Sequence, residues 1–238
     1  MIILGVESSA VTVSSALMRD GEVICELFEN NGLTHSVTLL PQIKALLDKC
    51  ELSVSDVDVF ALSHGPGSFT GLRIGAATVK GLAANGAECI GVSTLLAMAY
   101  CHKDFKGIIC PCMDARCSQV YNALFSFENG EISRLCDDRA LMIEELSKEL
   151  EERVENILLV GDGAHLALKY IEENCPNLAK RVSIAEGDSR YQRGSGVCLA
   201  AFEKIKGGEK TVSAGDLNLE YLRLPQAERE LKKKENAK

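Results

Sequence analysis

The sequence predicts an α/β fold in which one arrangement of strands and helices occurs twice. Three observations carry this: strand-length β-branched runs recur along all 238 residues, Asp-Gly and Asn-Gly turns follow two of them, and helical periodicity fills the intervals. The runs lie at 1–6 (MIILGV), 11–18 (VTVSSALM), 22–28, 57–63 (VDVFALS), 87–92, 107–113 (GIICPCM), 119–127 (QVYNALFSF) and 157–161 (ILLVG). Asp20-Gly21 joins the second and third as a hairpin, and Asn129-Gly130 turns the chain after 119–127. Each half therefore opens as an antiparallel meander of three strands.

The helices follow from spacing. Val37, Leu40, Ile43 and Leu47, with Leu39 and Leu46 alongside, form one apolar stripe with Ser36 as its N-cap. Leu72, Val79, Leu82 and Ala83 form a second. Ser93-Thr94 heads a third through Leu95 and Ala99, and Ile143, Leu146 and Leu150 mark a fourth. Residues 166–171 and 197–205 complete the set. The order is β-β-β-α-β-α-β, then β-β-β-α-β-α, with a boundary near residues 100–106. Two tandem ribonuclease-H-like domains fit this order, the architecture of actin- and Hsp70-type ATPases, which hold nucleotide between their halves. The expected division is 1–104 and a smaller 105–225, whose last helix packs back on the first domain, then a charged tail at 226–238.

Composition narrows the function. With 46% hydrophobic and 25% charged residues, the chain is an ordinary globular one. No apolar run approaches the roughly 18–20 residues of a membrane span. MIILGVESS lacks the basic start of a signal peptide and reads as a first strand, so a cytoplasmic location is expected. The ten cysteines are scattered except for Cys110, Cys112 and Cys117. That group lacks a second pair or a nearby histidine, which favours thiol packing over a metal site. A net charge of −8 lacks the footprint of an autonomous nucleic-acid binder. The one basic run, Lys232 to Lys234, lies in the tail.

Two stretches could hold a ligand. Glu7-Ser8-Ser9, between the first two strands, stands where actin-like ATPases turn backbone N–H groups toward phosphate, although an ordinary β-turn has the same look. HGPGSFTGLRIG, residues 64–75, is a glycine-rich turn opening a helix. Gly65 and Gly67 permit close backbone approach, yet the stretch has neither the lysine of a Walker loop nor G-x-G-x2-G spacing. Gly71, Gly75 and Thr78 give that helix a smooth face, flanked by Arg73 and Lys80, and either the chain's own sheet or another chain's helix can fill it. No catalytic set emerges. His35 has Leu39 four residues on, so there is no H-x3-H pair, and His64, His102 and His165 are isolated.

The run DVDVFALSHGPGSFTGLRIGAATVKGLA, preceded by THSVTLLPQI and followed by GVSTLLAMA, resembles the bacterial TsaB (YeaZ) family. CMDARCSQVY at 112–121, LVGDGA at 159–164 and EYLRLPQA at 220–227 extend the resemblance over nearly the whole chain. It implies a non-catalytic subunit for N6-threonylcarbamoyladenosine synthesis in tRNA. Such a subunit is required by the catalytic paralogue TsaD, with the ATPase TsaE completing the assembly. It also implies a homodimer when alone, tRNA contact only through the complex, and no required cofactor, with ATP or ADP at the junction with TsaD as an option. Carried onto this chain, the partner interface comprises His35, Val37, Thr38, Leu39 and Pro41. The second helix adds Gly71, Leu72, Arg73, Gly75, Thr78, Val79, Lys80 and Leu82. Glu7, Ser8, Ser9, Gly65 and Gly67 are the candidate nucleotide contacts. Glu7 stands where the family more often has Asp, and Gln119 where it usually has Glu. The alternative is a stand-alone ATP-dependent enzyme such as a small-molecule kinase. A metallopeptidase is more remote, because the histidine pair is missing.

Overall fold

In the computed structural model, which describes residues 1–32 and 34–223, the first meander is β1 (Ile2–Glu7), β2 (Val13–Arg19) and β3 (Glu22–Glu29). Asp20 and Gly21 make its hairpin with φ of 50° and 91°, the backbone that Asp-Gly favours. Then come α1 (His35–Lys49), β4 (Val59–Gly65), α2 (Phe69–Leu82), β5 (Glu88–Ser93) and α3 (Thr94–Tyr100). The sheet order is β3-β2-β1-β4-β5, with β1, β4 and β5 parallel.

The second half contains β6 (Ile108–Asp114), β7 (Gln119–Asn122), β8 (Phe125–Glu128), β9 (Glu131–Arg134) and β10 (Arg139–Met142). It continues with α4 (Ile143–Glu151), β11 (Ile157–Val160), α5 (Ala164–Asn174), α6 (Pro176–Ala179), β12 (Val182–Ile184) and α7 (Gly194–Lys206). Its order, β10-β7-β6-β11-β12, repeats the first sheet strand for strand. The β8–β9 hairpin is an insertion on this plan.

The sequence reading differs from the structure at definite places. The run 119–127 is one strand toward β6, since Cys112–Asn122 and Ile109–Phe125 keep one register. It splits because its outer neighbour changes from β10 to β9. The strand expected after Asn129-Gly130 is the short β9, which belongs to the insertion, and β10 and β12 were not expected. They are three or four residues long and mostly half-buried or exposed, so they lack an apolar run. Thr34, not Ser36, precedes the first turn of α1, with no side-chain cap bond. The α1 core stripe is Leu39, Ile43, Leu46 and Leu47, whereas Val37 and Leu40 face outward. The tail from residue 226 lies outside the described residues.

Five layers result. α1 and α2 cover one face of the first sheet, with Leu39, Ile43, Leu46 and Val79 against Leu4, Val6, Phe60 and Leu62. The opposite face, including Ile3, Met18, Ala61 and Val92, packs on α3 and α7 through Ala97, Tyr100, Val197 and Ala201. α3 also meets the second sheet, with Leu95 and Met98 against Ile109, Met113 and Phe125. α4 and α5 close the far side over Ile108, Cys110 and Cys112. The period-2 alternation of β6 thus serves two cores. α7 ends the second half's repeat but lies across β1, β2 and β3. Beyond it the chain returns along the first half, where Val212 pairs with Cys89 and Leu217 is buried.

Candidate functional site: an interdomain cleft and a two-helix face

The C-terminal ends of the parallel strands β1, β4, β6 and β11 converge on a cleft of about 480 Å³, with Ser9, Val11, Ser68, Phe69, Asp114, Arg116 and Asp162 in its wall. Open α/β sheets bind ligands at such strand ends. Glu7 is fully buried behind this wall, and its Oε1 accepts the Ser9 N–H at 2.6 Å. Glu7 Oε2, Ser9 Oγ and Gln192 Oε1 have no hydrogen-bond partner among the described residues. Burial pushes the Glu7 carboxyl above its ordinary value, and the polar groups of Ser9 and Ser63 beside it oppose this only in part. Burial raises Asp162 in the same way, against a 2.8 Å bond from Gln192 Nε2.

The glycine-rich turn meets this cleft through Gly67 and Ser68, but its glycines are hemmed in by the chain itself. A Cβ on Gly67 would lie 2.5 Å from Ser9 O, and one on Gly65 would lie 2.0 Å from Glu220 O. The close passage of the chain's own backbone therefore accounts for glycine at both positions. The first amides of α2 are also engaged: Ser68 N–H donates to Ser9 O at 2.6 Å, and Gly71 N–H donates to Ser68 Oγ at 3.3 Å. Ser68 is the N-cap of α2, and its hydroxyl takes up the third amide of the helix. Ser8 Oγ donates to Gly71 O at 3.0 Å, so Glu7, Ser8 and Ser9 brace α2.

The smooth face of α2 has the same occupant. A Cβ on Gly71 would meet Ser8 O at 2.0 Å, and one on Gly75 would meet Ser8 Oγ at 2.4 Å and Leu62 Cδ1 at 2.9 Å. Gly71 and Gly75 thus let α2 sit on β1 and β4, and they offer nothing to another chain. Leu39, Leu72 and Val79 are fully buried core, Thr38 is buried, and Thr78 and Leu82 are half-buried. These corrections leave a smaller outward set. Val37 (66% exposed), Leu40 (53%) and Pro41 form an apolar ridge on α1. Thr70, Arg73 and Ala77 form the exposed face of α2. His35, the first residue of α1, sets its Nε2 2.8 Å from Ala10 O in the loop between β1 and β2. Lys80 is half-buried and donates to Gly215 O at 3.2 Å.

No nucleophile–base pair forms among the described residues. The histidine rings meet Ala10 O, Ser189 O, Arg190 and Glu220 rather than a hydroxyl or thiol. No three His, Cys, Asp or Glu side chains among the described residues gather as a metal site. Cys110 and Cys112 are buried with their sulfurs 3.7 Å apart, whereas Cys117 is exposed on the loop. Asp114 and Asp162 were missed as cleft residues, and so was Gln192 behind them. LVGDGA carried a signal, a glycine-flanked acid at a strand end, but Gln192 reaches Asp162 only through the fold. No helix among the described residues is long and apolar enough to cross a membrane.

Two halves of one strand order facing across a cleft have the ribonuclease-H-like arrangement of the actin-like ATPase fold. The family described as TsaD, tRNA N6-adenosine threonylcarbamoyltransferase, matches residues 29–211. The Bacillus subtilis tRNA threonylcarbamoyladenosine biosynthesis protein TsaB is 31% identical over 96% of both chains. Its Escherichia coli counterpart is 38% identical over 55% of this chain and 58% of that one. A solved Pseudomonas aeruginosa protein described as similar to peptidase YeaZ superposes with a TM-score of 0.79. It is 25% identical, over 93% of this chain and 99% of that one. The chain belongs to the TsaB (YeaZ) family of tRNA threonylcarbamoyladenosine biosynthesis proteins.

Proposed function

We propose that this chain is a non-catalytic subunit that activates threonylcarbamoyl transfer to tRNA by docking on the catalytic paralogue TsaD, with TsaE completing the assembly. The observation that carries the reading is the ridge of Val37, Leu40 and Pro41 on α1 beside Arg73 on α2. Its large apolar side chains stay exposed although the inner faces of both helices are fully used. Contiguous exposed apolar surface with a charged rim has the make-up of a protein interface. Self-association of the isolated chain uses the same surface. Transfer of tRNA contact to the partners agrees with a net charge of −8. ATP or ADP, where it takes part, lies at the junction with TsaD and is not required for this chain to fold.

The test is reconstitution. TsaD, TsaE, threonylcarbamoyl-adenylate and tRNA are assayed with and without this chain, alongside Val37→Asp and Leu40→Asp. Modification should depend on the chain, and each variant should weaken TsaD capture more than about tenfold while leaving Tm unchanged. Robust ATP turnover by the chain alone would sink the scaffold reading in favour of a small-molecule kinase.

A further inference from the structure

We propose that the C-terminal strap, residues 212–223, is a latch that joins the two halves across the mouth of the cleft and limits how far it opens. The strap follows α7 and fastens to the first half at successive points. Cys89 and Val212 exchange backbone hydrogen bonds of 2.8 Å each, and Leu217 is buried in the core beneath α1 and α2. The Glu220 N–H donates to His64 O at 2.8 Å. Gly65, at φ +139°, makes that passage possible, since any Cβ there would strike Glu220 O. Tyr221 then stacks on Phe69 with ring centroids 4.6 Å apart, and its hydroxyl accepts from Arg73 Nε at 3.2 Å. Two residues on, Arg223 Nη1 donates to Ala115 O in the second half. Phe69 and Ala115 both line the cleft, so the strap grips one wall with Tyr221 and the other with Arg223.

The wall that Arg223 holds is strained. Arg116, Cys117 and Ser118 have φ of 68°, 53° and 56°, three consecutive non-glycine residues in the left-handed region. Left-handed backbone is disfavoured for residues with a side chain, and a strained segment persists only where its surroundings over-determine it. The Arg223 contact is one such restraint. Others are the Arg116 N–H to Asp114 Oδ1 at 2.7 Å and the Ala115 N–H to Gln119 O at 2.9 Å. Release of the strap lets this loop relax and frees the second wall from the first.

Hydrogen exchange on the isolated full-length chain tests the latch, so its failure leaves the docking reading untouched. Arg223→Ala should speed exchange in residues 114–119 about tenfold, as expected when a charge-assisted bond guarding a strained loop is lost. Residues 64–73 and β11 should exchange as in the parent. Tyr221→Ala should speed both 64–73 and 114–119, although Tyr221 touches only the first half. Parent-like exchange at 114–119 in Arg223→Ala overturns the proposal. So does a rise in β11 to match, which would mean general loosening. Should Tyr221→Ala fail to fold, Arg223→Ala alone decides.

Discussion

Gly75 shows how much a single residue depends on its neighbours. Read along the helix, Gly71 and Gly75 make a surface fit for another chain, but Ser8 and Leu62 stand within 3 Å of where a Cβ on Gly75 would be. Gly75→Leu should therefore cost more than about 2 kcal/mol by overpacking, measured by urea unfolding, and should not act as a clean interface variant. Glu7 makes the second residue-scale case. Its carboxyl is held above the ordinary value of 4.5 by burial, so the folded state binds a proton more readily than the unfolded chain. Stability then falls as pH rises from the unfolded value through the folded one. Glu7→Gln keeps an acceptor for the Ser9 N–H without a charge. It should melt higher than the parent at neutral pH, and the advantage should vanish as pH falls toward 4.5. An unchanged difference across that range would show that burial of the charge is not the cause.

At the scale of an element, α1 carries a visible defect. Pro41 sits inside the helix, where it has no N–H to return to the carbonyl of Val37. A proline in a helix interior costs about 3 kcal/mol relative to alanine. The defect falls on the turn that displays Val37 and Leu40. Pro41→Ala should raise thermal stability, by about 1–3 kcal/mol once local relaxation is allowed for. A lower melting temperature would mean that Pro41 packs productively against the groove beside β3. The helix itself was legible because its apolar residues recur at helical spacing. Its orientation was not, since Val37–Leu40 and Leu39–Ile43–Leu46 each fit a stripe, and only the position of the sheet chooses between them.

The whole molecule is held together by elements that cross between its halves. α7 follows the second sheet but packs on the first, and Arg193 at its N-cap fixes it there. Arg193 Nε and Nη2 donate to Glu26 Oε2 at 2.9 and 2.8 Å, and the guanidinium lies 4.7 Å from the centroid of the Phe28 ring. Both charged side chains are largely buried, at 25% and 15% exposure. Arg193→Ala would leave the Glu26 carboxylate with only its Ser14 and Ser195 bonds and should cost about 3 kcal/mol in unfolding free energy. The double variant with Glu26→Gln should recover part of that loss, and no recovery would place the cost in the Phe28 contact instead. The first sheet would be exposed by loss of α7, so unfolding should appear as one transition.

The sequence alone determined the duplicated β-β-β-α-β-α plan, its two Gly-containing hairpins, the long helices and the family resemblance. These rest on local periodicity, on turn chemistry and on contiguous motifs. Only the tertiary structure decided what each face meets. It packed Gly67 and Gly65 against Ser9 and Glu220, spent Gly71 and Gly75 inside the chain, and left Val37 and Leu40 outside. It brought Gln192 to Asp162 and Arg223 to Ala115, contacts 30 and 108 residues apart in sequence. Side-chain spacing specifies that a face exists, whereas its occupant depends on contacts between residues far apart in the chain, which no local pattern records.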